Sequence, residues 1–391
     1  MRRLARRKDN MRLAEYDGKV LLRRHGFAVP RGLLVQTGES FPEAAAEWPG
    51  FVLKAQVLEG GRGKRGLVRR FGKPEEFRDA RRLILPGLED ADTPLLLEEA
   101  IPIAREIFTA VRIDGSAQRL ELLLAPEGGE NVESIAKLIR IPVEPDAPIT
   151  PEQVFASFGK EFAADLGARI VRYAARLPEI ARQEDLEFLE INPLALTEKG
   201  ALIACDAKII RDAAADFRHD PAEFALSQKL AGKAMTKLER EAAALGFQLV
   251  ETDGDIVLVT SGAGLGMMMM DLIGDHGMRA ASFMDNLRGA PDETMTERLK
   301  IARAMAMRPN IKAIVFQTTL ASRSLAERVD ALTDWLAAEP LPKPLFVGIA
   351  AGHAATRKMT PEQAIAKLQA HGVSAFTDPV ALVKAAAKAV G

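Results

Sequence analysis

From residue 255 to the C-terminus, apolar runs of strand length alternate with helical segments. "DIVLVT", "RAASFMD", "IKAIVFQTT", "PLFVGIA" and "VSAFTD" read as strands. "GAGLGMMMMDLIGDHG", "ETMTERLKIARAMAM", "SLAERVDALTDWLAA", "TPEQAIAKLQAHG" and "PVALVKAAAKAV" read as the helices that follow them. Strictly alternating strands and helices fold as right-handed crossover units, which lay the strands parallel. The near-continuous apolarity of the strands means that both sheet faces are covered. This pattern predicts a doubly wound α/β domain over residues 246–391.

The earlier residues are patterned differently. Residues 12–26 predict an amphipathic helix with Leu13, Tyr16, Val20 and Leu21 on one stripe and Gly26 as its stop. "FVLKAQV" (51–57) and "GLVRRF" (66–71) read as two strands around a glycine-rich turn. "PLLLEEAI" (94–101), "EIFTAVRID" (106–114) and "RLELLLA" are further strands, and "LEFLEINPLALTEKGALIACDAKII" (186–210) is an antiparallel hairpin turned at "TEKG". Residues 151–184 and 221–245 are helical in pattern. The hairpins predict an α+β domain over residues 11–245, with a flap lobe at about 27–100. The basic residues 1–10 lack the apolar stretch of a secretory signal. They read as a disordered tail from an upstream start, with Met11 opening the folded part, or as a short targeting or polyanion-binding arm.

Composition narrows the function. A net charge of −1 over 391 residues excludes a protein that binds nucleic acid over its whole surface, and 5% aromatic content argues against stacking platforms for single strands. The single cysteine, Cys205, allows no disulfide framework or cysteine-based zinc site within the chain, which fits a reducing cytoplasm. No apolar run is long enough to span a membrane. The histidines (25, 219, 276, 353 and 371) have no metal spacing, and no serine or cysteine triad is supported.

Two features carry chemistry. In "FVLKAQVLEGGRGKRGLVRR", Lys54 sits inside an apolar strand, where a charge is costly unless paired. Glycines 60, 61, 63 and 66 let backbone N–H groups approach a ligand, and Arg62, Lys64 and Arg65 add mobile charge at the tip. A triphosphate would satisfy all of these; so would a solvated basic hairpin tip. The Walker pattern is absent. In the second feature, "LEINPLAL" and "LIACDAKI" put Glu190, Asn192 and Asp206 on paired apolar strands, with Lys208 on the face of Asp206. A hard cation such as Mg²⁺ accepts such an all-oxygen set, and a polar cluster satisfied by backbone is the plainer reading.

A strand lysine, a glycine flap, an E-x-N and a D-x-K together resemble the ATP-grasp architecture. Further, "EYDGKVLLRRHGFAVPRG", "VLKAQVLEGGRGKRGLV", "LLLEEAIPIAREIFTAVRID", "PEGGENVE", "FLEINPLALTEKGALIACDAK" and "GAGLGMMMMDLIGDHG" follow the order and spacing of the β subunit of succinyl-CoA synthetase. The resemblance runs from Met11 to the end and implies an ATP-grasp domain followed by a flavodoxin-like one. It implies ATP (or GTP) with Mg²⁺, a separate CoA-binding α subunit whose histidine is phosphorylated, and the reaction acid + CoA + ATP = acyl-CoA + ADP + phosphate. By position, Lys54 would contact the phosphates and Gly61, Arg62 and Gly63 the nucleotide from the flap. Glu98 and Glu106 would face the adenine and ribose side, and Asn192 and Asp206 would hold Mg²⁺. The catalytic histidine is expected on the partner.

In the second domain Gly262 and Gly264 open a helix whose N-terminus suits an anion. Gly262, Gly264 and Gly266 only approximate a dinucleotide fingerprint, because its third glycine position holds Met267. The four consecutive methionines are expected to fill the core. Two loops depart from the family pattern. "NLRGA" replaces a run of glycines, and "QTTLASRSLAE" replaces an asparagine, a glycine pair and an arginine; Ser261 also stands where the family has asparagine. Arg288, Thr318, Thr319, Ser322, Arg323 and Ser324 add cations and hydroxyls where acid, phosphate and histidine would meet. Either the acid differs from succinate, or the phosphoryl relay is lost and the chain is a nucleotide-binding or regulatory subunit.

Overall fold

The computed structural model describes residues 11–88, 90–129, 138–145, 147–220, 222–260, 262–286, 294–320, 324–353 and 355–391. The chain divides into two compact units between Lys233 and Ala234.

In the first unit β1 (Met11–Arg12) leads into α1 (Glu15–Arg24). Strands β2 (Gly32–Val35), β3 (Phe51–Ala55) and β4 (Val68–Phe71), helix α2 (Phe77–Ile84) and strand β5 (Leu95–Glu99) follow. The four strands pair antiparallel in the order β2-β5-β3-β4. Phe51 and Phe71 stand opposite in register with ring centroids 5.0 Å apart, and Phe77, Ala80 and Ile84 of α2 close this small core.

The second sheet uses β6 (Ile103–Asp114), β7 (Arg119–Ala125), β8 (Ile139–Val143), β9 (Leu186–Thr197), β10 (Leu202–Ala204) and β11 (Lys208–Arg211). Its order is β1-β11-β9-β6-β7-β8, with β10 paired to the far end of β9. The expected helix over 151–184 is two helices, α3 (Pro151–Ser157) and α4 (Ala164–Gln183). Glycine is the reason. A Cβ on Gly159 would lie 2.2 Å from Phe155 Cδ2, and one on Gly167 2.5 Å from the Gly159 carbonyl, so the helices cross where neither residue has a side chain. The helical pattern of 221–245 is likewise split into α5 (Ala225–Ala234) and α6 (Lys237–Ala244), because Thr236 and Glu239 form a capping box that starts a new helix.

Helix α1 departs most from expectation. Val20 is exposed, while Glu15, Asp17 and Lys19 are buried with Leu21 and Leu22. Asp17 Oδ2 accepts bonds from the Ser227 amide (2.7 Å) and hydroxyl (2.5 Å), and the Ser227 hydroxyl accepts from the Ala14 amide at 2.8 Å. Burial nevertheless pushes the Asp17 carboxyl above its ordinary range. A raised folded-state value means that Asp17 contributes fully at low pH and loses that contribution as pH rises through the raised value. We therefore expect the stability of Asp17→Asn, measured against the native chain in urea, to improve as pH rises above the ordinary carboxylate range. A pH-independent difference would contradict this.

The second unit opens with α6, followed by β12 (Phe247–Glu251), β13 (Ile256–Val259), α7 (Ala263–Asp275) and β14 (Ser282–Asn286). It continues with α8 (Met295–Ala306), β15 (Ala313–Leu320), α9 (Leu325–Ala338), β16 (Leu345–Ala351), α10 (Pro361–Ala370), β17 (Ser374–Phe376) and α11 (Pro379–Val390). Strands β13-β15-β16-β17 are parallel, as the alternation demands. Val257 and Val259 face one core, with Leu299 and Trp335; Ile256 and Leu258 face another, with Met269, Ile273 and Leu382. Ala280, just before β14, joins β13 by one parallel bridge to Ile256, and β14 itself is tied on through the Ser282 hydroxyl. That hydroxyl accepts from the Leu258 amide and donates to the Leu258 carbonyl, both at 2.9 Å. An unforeseen antiparallel strand, β12, pairs with the outer edge of β14.

The methionine run only partly fills the core. Met269 is fully buried and Met270 packs beside it, but Met267 and Met268 are exposed, because four consecutive residues span more than the one buried face of α7.

Candidate functional site

In the first unit a cluster of charges is built from five separate segments. Glu15 and Lys19 lie one turn apart on α1. Lys54 lies on β3, and Glu98 on β5 stands diagonally across from it, since Val52 opposes Glu98 and Lys54 opposes Leu96. The Arg62 guanidinium comes from the glycine turn, and Asp206 with the Cys205 carbonyl comes from the gap between β10 and β11.

Lys54 Nζ donates to Glu15 Oε1 at 2.7 Å and to the Cys205 carbonyl at 2.8 Å, and pairs with Glu98 Oε2 at 2.8 Å. Lys19 Nζ donates to Glu15 Oε1 at 2.6 Å, to Glu98 Oε1 at 2.5 Å and to the Cys205 carbonyl at 2.8 Å. Arg62 lies 2.5 Å from Glu15 Oε2 and donates to Asp206 Oδ1 at 2.7 Å. Burial alone would raise the Glu15 carboxyl, but Arg62, Lys19 and Lys54 hold it well below the usual range. Burial opposes the charge of Lys54 and Arg62 too, and the surrounding carboxylates outweigh it, raising both. Cys205 is half-buried between β10 and β11, and burial pushes its thiol up to about 11, so it stays protonated at neutral pH.

Arg62 is therefore not mobile charge at the flap tip. The turn is tied by bonds from the Arg65 amide to the Gly61 carbonyl and from the Gly66 amide to the Gly63 carbonyl, which aim Arg62 inward while Lys64 and Arg65 stay exposed. Gly61 has φ +71°, and a Cβ there would meet nothing within 4 Å, so the bare backbone faces open space. The charge of Lys54 is met by carboxylates of the chain itself.

Asn192 and Asp206 meet by register. Ala204 opposes Leu194 and Lys208 opposes Glu190, so the unpaired residues between them place Asp206 across from Asn192 on one face. Asn192 Oδ1 accepts from the Gly129 amide at 2.8 Å, and its amide nitrogen donates to the Gly129 carbonyl at 3.1 Å and to Glu190 Oε1 at 3.3 Å. A Cβ on Gly128 would sit 3.2 Å from Asn192 Oδ1 and 3.1 Å from the Ile107 carbonyl. The bare glycine keeps the space before that oxygen free. Amide and carboxylate oxygens around such a cradle fit a hard divalent cation. Glu106 borders the same turn, its Oε2 3.0 Å from where a Gly129 Cβ would be. The structure thus groups Glu106 with Asn192 and places Glu98 in the lysine pair.

In the second unit Gly262 caps α7 at φ +110°, and Gly262 and Gly264 have open space where a Cβ would project. Gly266 serves packing: a Cβ there would lie 2.7 Å from the Phe283 ring. Ser324 caps α9 by accepting from the Glu327 amide at 3.4 Å; Thr318 is buried and Thr319 exposed. Ser261, Arg288, Ser322 and Arg323 lie outside the described residues. Sequence reasoning missed Arg298 on α8. It is buried, its Nη1 donates to the Thr260 carbonyl at 2.5 Å, and burial lowers it to about 10. It also missed Glu15 and Lys19, whose i, i+4 spacing looks like an ordinary exposed helix pair.

Residues 12–196 match the ATP-grasp domain family. The chain is 34% identical over 345 residues to the ADP-forming succinate–CoA ligase β subunit of Desulfurococcus amylolyticus, covering 85% of this chain and 89% of that one. It is 33% identical over 348 residues to the corresponding subunit of Ignicoccus hospitalis, with the same coverage. Among solved structures it is similar to ATP citrate lyase from Methanothrix soehngenii, determined with citrate and coenzyme A, over 97% of this chain and 100% of that one. That TM-score is 0.67 at 18% identity, a likeness of fold. Among the described residues no helix is long and apolar enough to cross a membrane. With 34% identity spread over most of both sequences, the chain belongs to the family of ADP-forming succinate–CoA ligase β subunits.

Proposed function

We propose that this chain is the nucleotide-binding β subunit of an ADP-forming acid–CoA ligase that acts in the cytoplasm. It works with a CoA-binding α subunit whose histidine carries the phosphoryl group, and converts acid, CoA and ATP (or GTP) to acyl-CoA, nucleoside diphosphate and phosphate. The observation that carries this reading is the buried cluster of Lys54, Arg62, Glu15 and Glu98 beneath an open glycine turn, with Asp206 paired to Arg62 and set across from Asn192 by the strand register. Lys54 and Arg62 would turn to the phosphates, with Gly61 and Gly63 presenting backbone N–H groups. Glu98 and Glu106 would border the nucleoside, Glu98 through the lysine pair. Asn192 and Asp206 would hold Mg²⁺, which when bound offsets charge on the transferring phosphoryl group.

The departures at Ser261, Arg288, Ser322 and Arg323 support an acid other than succinate, because hydroxyls and guanidinium groups suit a more anionic or hydroxylated acid. Gly262 and Gly264 would leave the α7 N-terminus open to phosphate. The test is co-expression with the α subunit, incubation with γ-labelled ATP, and an acid panel of succinate, malate and sulfoacetate with CoA. We expect label on the partner's histidine and turnover of one acid well above the others. No label on the partner would favour a subunit that binds nucleotide without relaying phosphate.

A further inference from the structure

Lys54 and Lys19 donate to the same three acceptors: the Glu15 carboxylate, the Glu98 carboxylate and the Cys205 carbonyl. An ammonium has three N–H donors, so both are fully engaged. One lysine would suffice to keep Glu15 and Glu98 paired. A second, on a different element and against the same three groups, needs a reason, because each buried ammonium carries its own desolvation penalty.

The two differ in access. The Lys19 side chain is 4% exposed, while those of Lys54 and Arg62 are 10% and 11% exposed, on the side of the glycine turn. Three carboxylates (Glu15, Glu98, Asp206) face three cations (Lys19, Lys54, Arg62), so the cluster is neutral by itself. A neutral cluster attracts a polyanion only if some of its cations can leave their carboxylates, and the carboxylates left behind must keep a partner.

We propose that Lys19 is a positioning residue of the nucleotide site, holding Glu15, Glu98 and the Cys205 carbonyl so that Lys54 is free to turn to a phosphate. This rests on the nucleotide reading above. Lys19 itself does not touch the ligand. Its ammonium remains between the two carboxylates when Lys54 and Arg62 swing away, so neither acid is stranded in the core. Without it, Lys54 is pinned to Glu15 and Glu98.

The full-length chain, titrated calorimetrically with ADP with and without Mg²⁺, tests this. Lys19→Met leaves the cluster one charge negative, and ADP should bind at least about tenfold more weakly. Glu15→Gln leaves it one charge positive and should bind ADP more tightly than native, although a buried hydrogen-bonded acid has been lost. The double variant is neutral again and should return to within about threefold of native. A purely structural role for the pair predicts the reverse for Glu15→Gln, weaker or unchanged binding, and no recovery in the double variant; either result overturns the proposal. If Lys19→Met does not fold, Glu15→Gln and the charge-balanced double variant still decide by the same criteria. A native chain that binds no ADP overturns the nucleotide reading itself. Native binding with unshifted variants overturns only the role of Lys19.

Discussion

Lys54→Met should lower kcat/KM for the nucleotide by about 10²–10³-fold while leaving the first unit folded. Removing one partner of a buried ion pair ordinarily destabilises by about 3–5 kcal/mol, because the other charge is stranded. Here Lys19 already donates to both carboxylates and the carbonyl that Lys54 uses, though to the other oxygen of Glu98, so no carboxylate is left without a cation. The stability loss should be below about 2 kcal/mol, the value of a neutral side chain's packing and one redundant charge. The variant is thus expected to be well folded and catalytically crippled. Urea unfolding followed by far-UV circular dichroism and turnover of the complex with the α subunit are the two measurements. Native turnover would remove Lys54 from the phosphate site, and an unfolded variant would show that Lys19 does not substitute for it.

Gly254→Ala should be the most damaging single-methyl change in the second unit, at about 3 kcal/mol or more. A Cβ on Gly254 would lie 2.1 Å from the Ala280 carbonyl oxygen and 2.4 Å from that of Arg279. Both are backbone atoms, and the segments around them are tied together. The Thr252 amide donates to Ala281, the Asp255 amide to Arg279, and Asn310 Nδ2 to the Gly254 carbonyl. Nothing there can move without breaking the approach of β14 to β13. Gly348→Ala is the control. Its Cβ would come within 1.8 Å of Gln317 Oε1 and 2.9 Å of Leu382 Cδ2, both side-chain rather than backbone atoms, so its effect should be smaller. Of the two tryptophans, Trp48 lies in the first unit and Trp335 is buried in the second. Urea titration of Trp335 fluorescence in a Trp48→Phe background reads the second unit alone. Equal destabilisation by both substitutions would contradict the argument from backbone rigidity.

The strand-helix alternation after residue 255 was legible because parallel strands buried on both faces are continuous apolar runs, as in "IVLV" of β13. Lys54 was legible as a charge inside an apolar strand, and Asn192 with Asp206 because a "TEKG" turn sets a countable register. Antiparallel β12 was not, since the five residues FQLVE carry no mark of the strand that will pair with them. The break at Gly159 was missed for the same kind of reason: a glycine that permits a helix crossing looks like one that is merely tolerated.

The sequence by itself determined which segments become strands and helices, because local apolar periodicity is a property of neighbours along the chain. It also marked the glycine turn and the strand lysine, whose cost is local. Only the tertiary structure decided which charges meet. Glu15 and Lys19 look like a solvated helix pair until β5 brings Glu98 from 79 residues away and the β10–β11 gap brings the Cys205 carbonyl from 186 residues away. Arg62 looks like flap-tip charge until Asp206, 144 residues on, turns it inward. Coulomb attraction falls with distance in space rather than along the chain, so the partners of a charge follow from folding and are not written beside it.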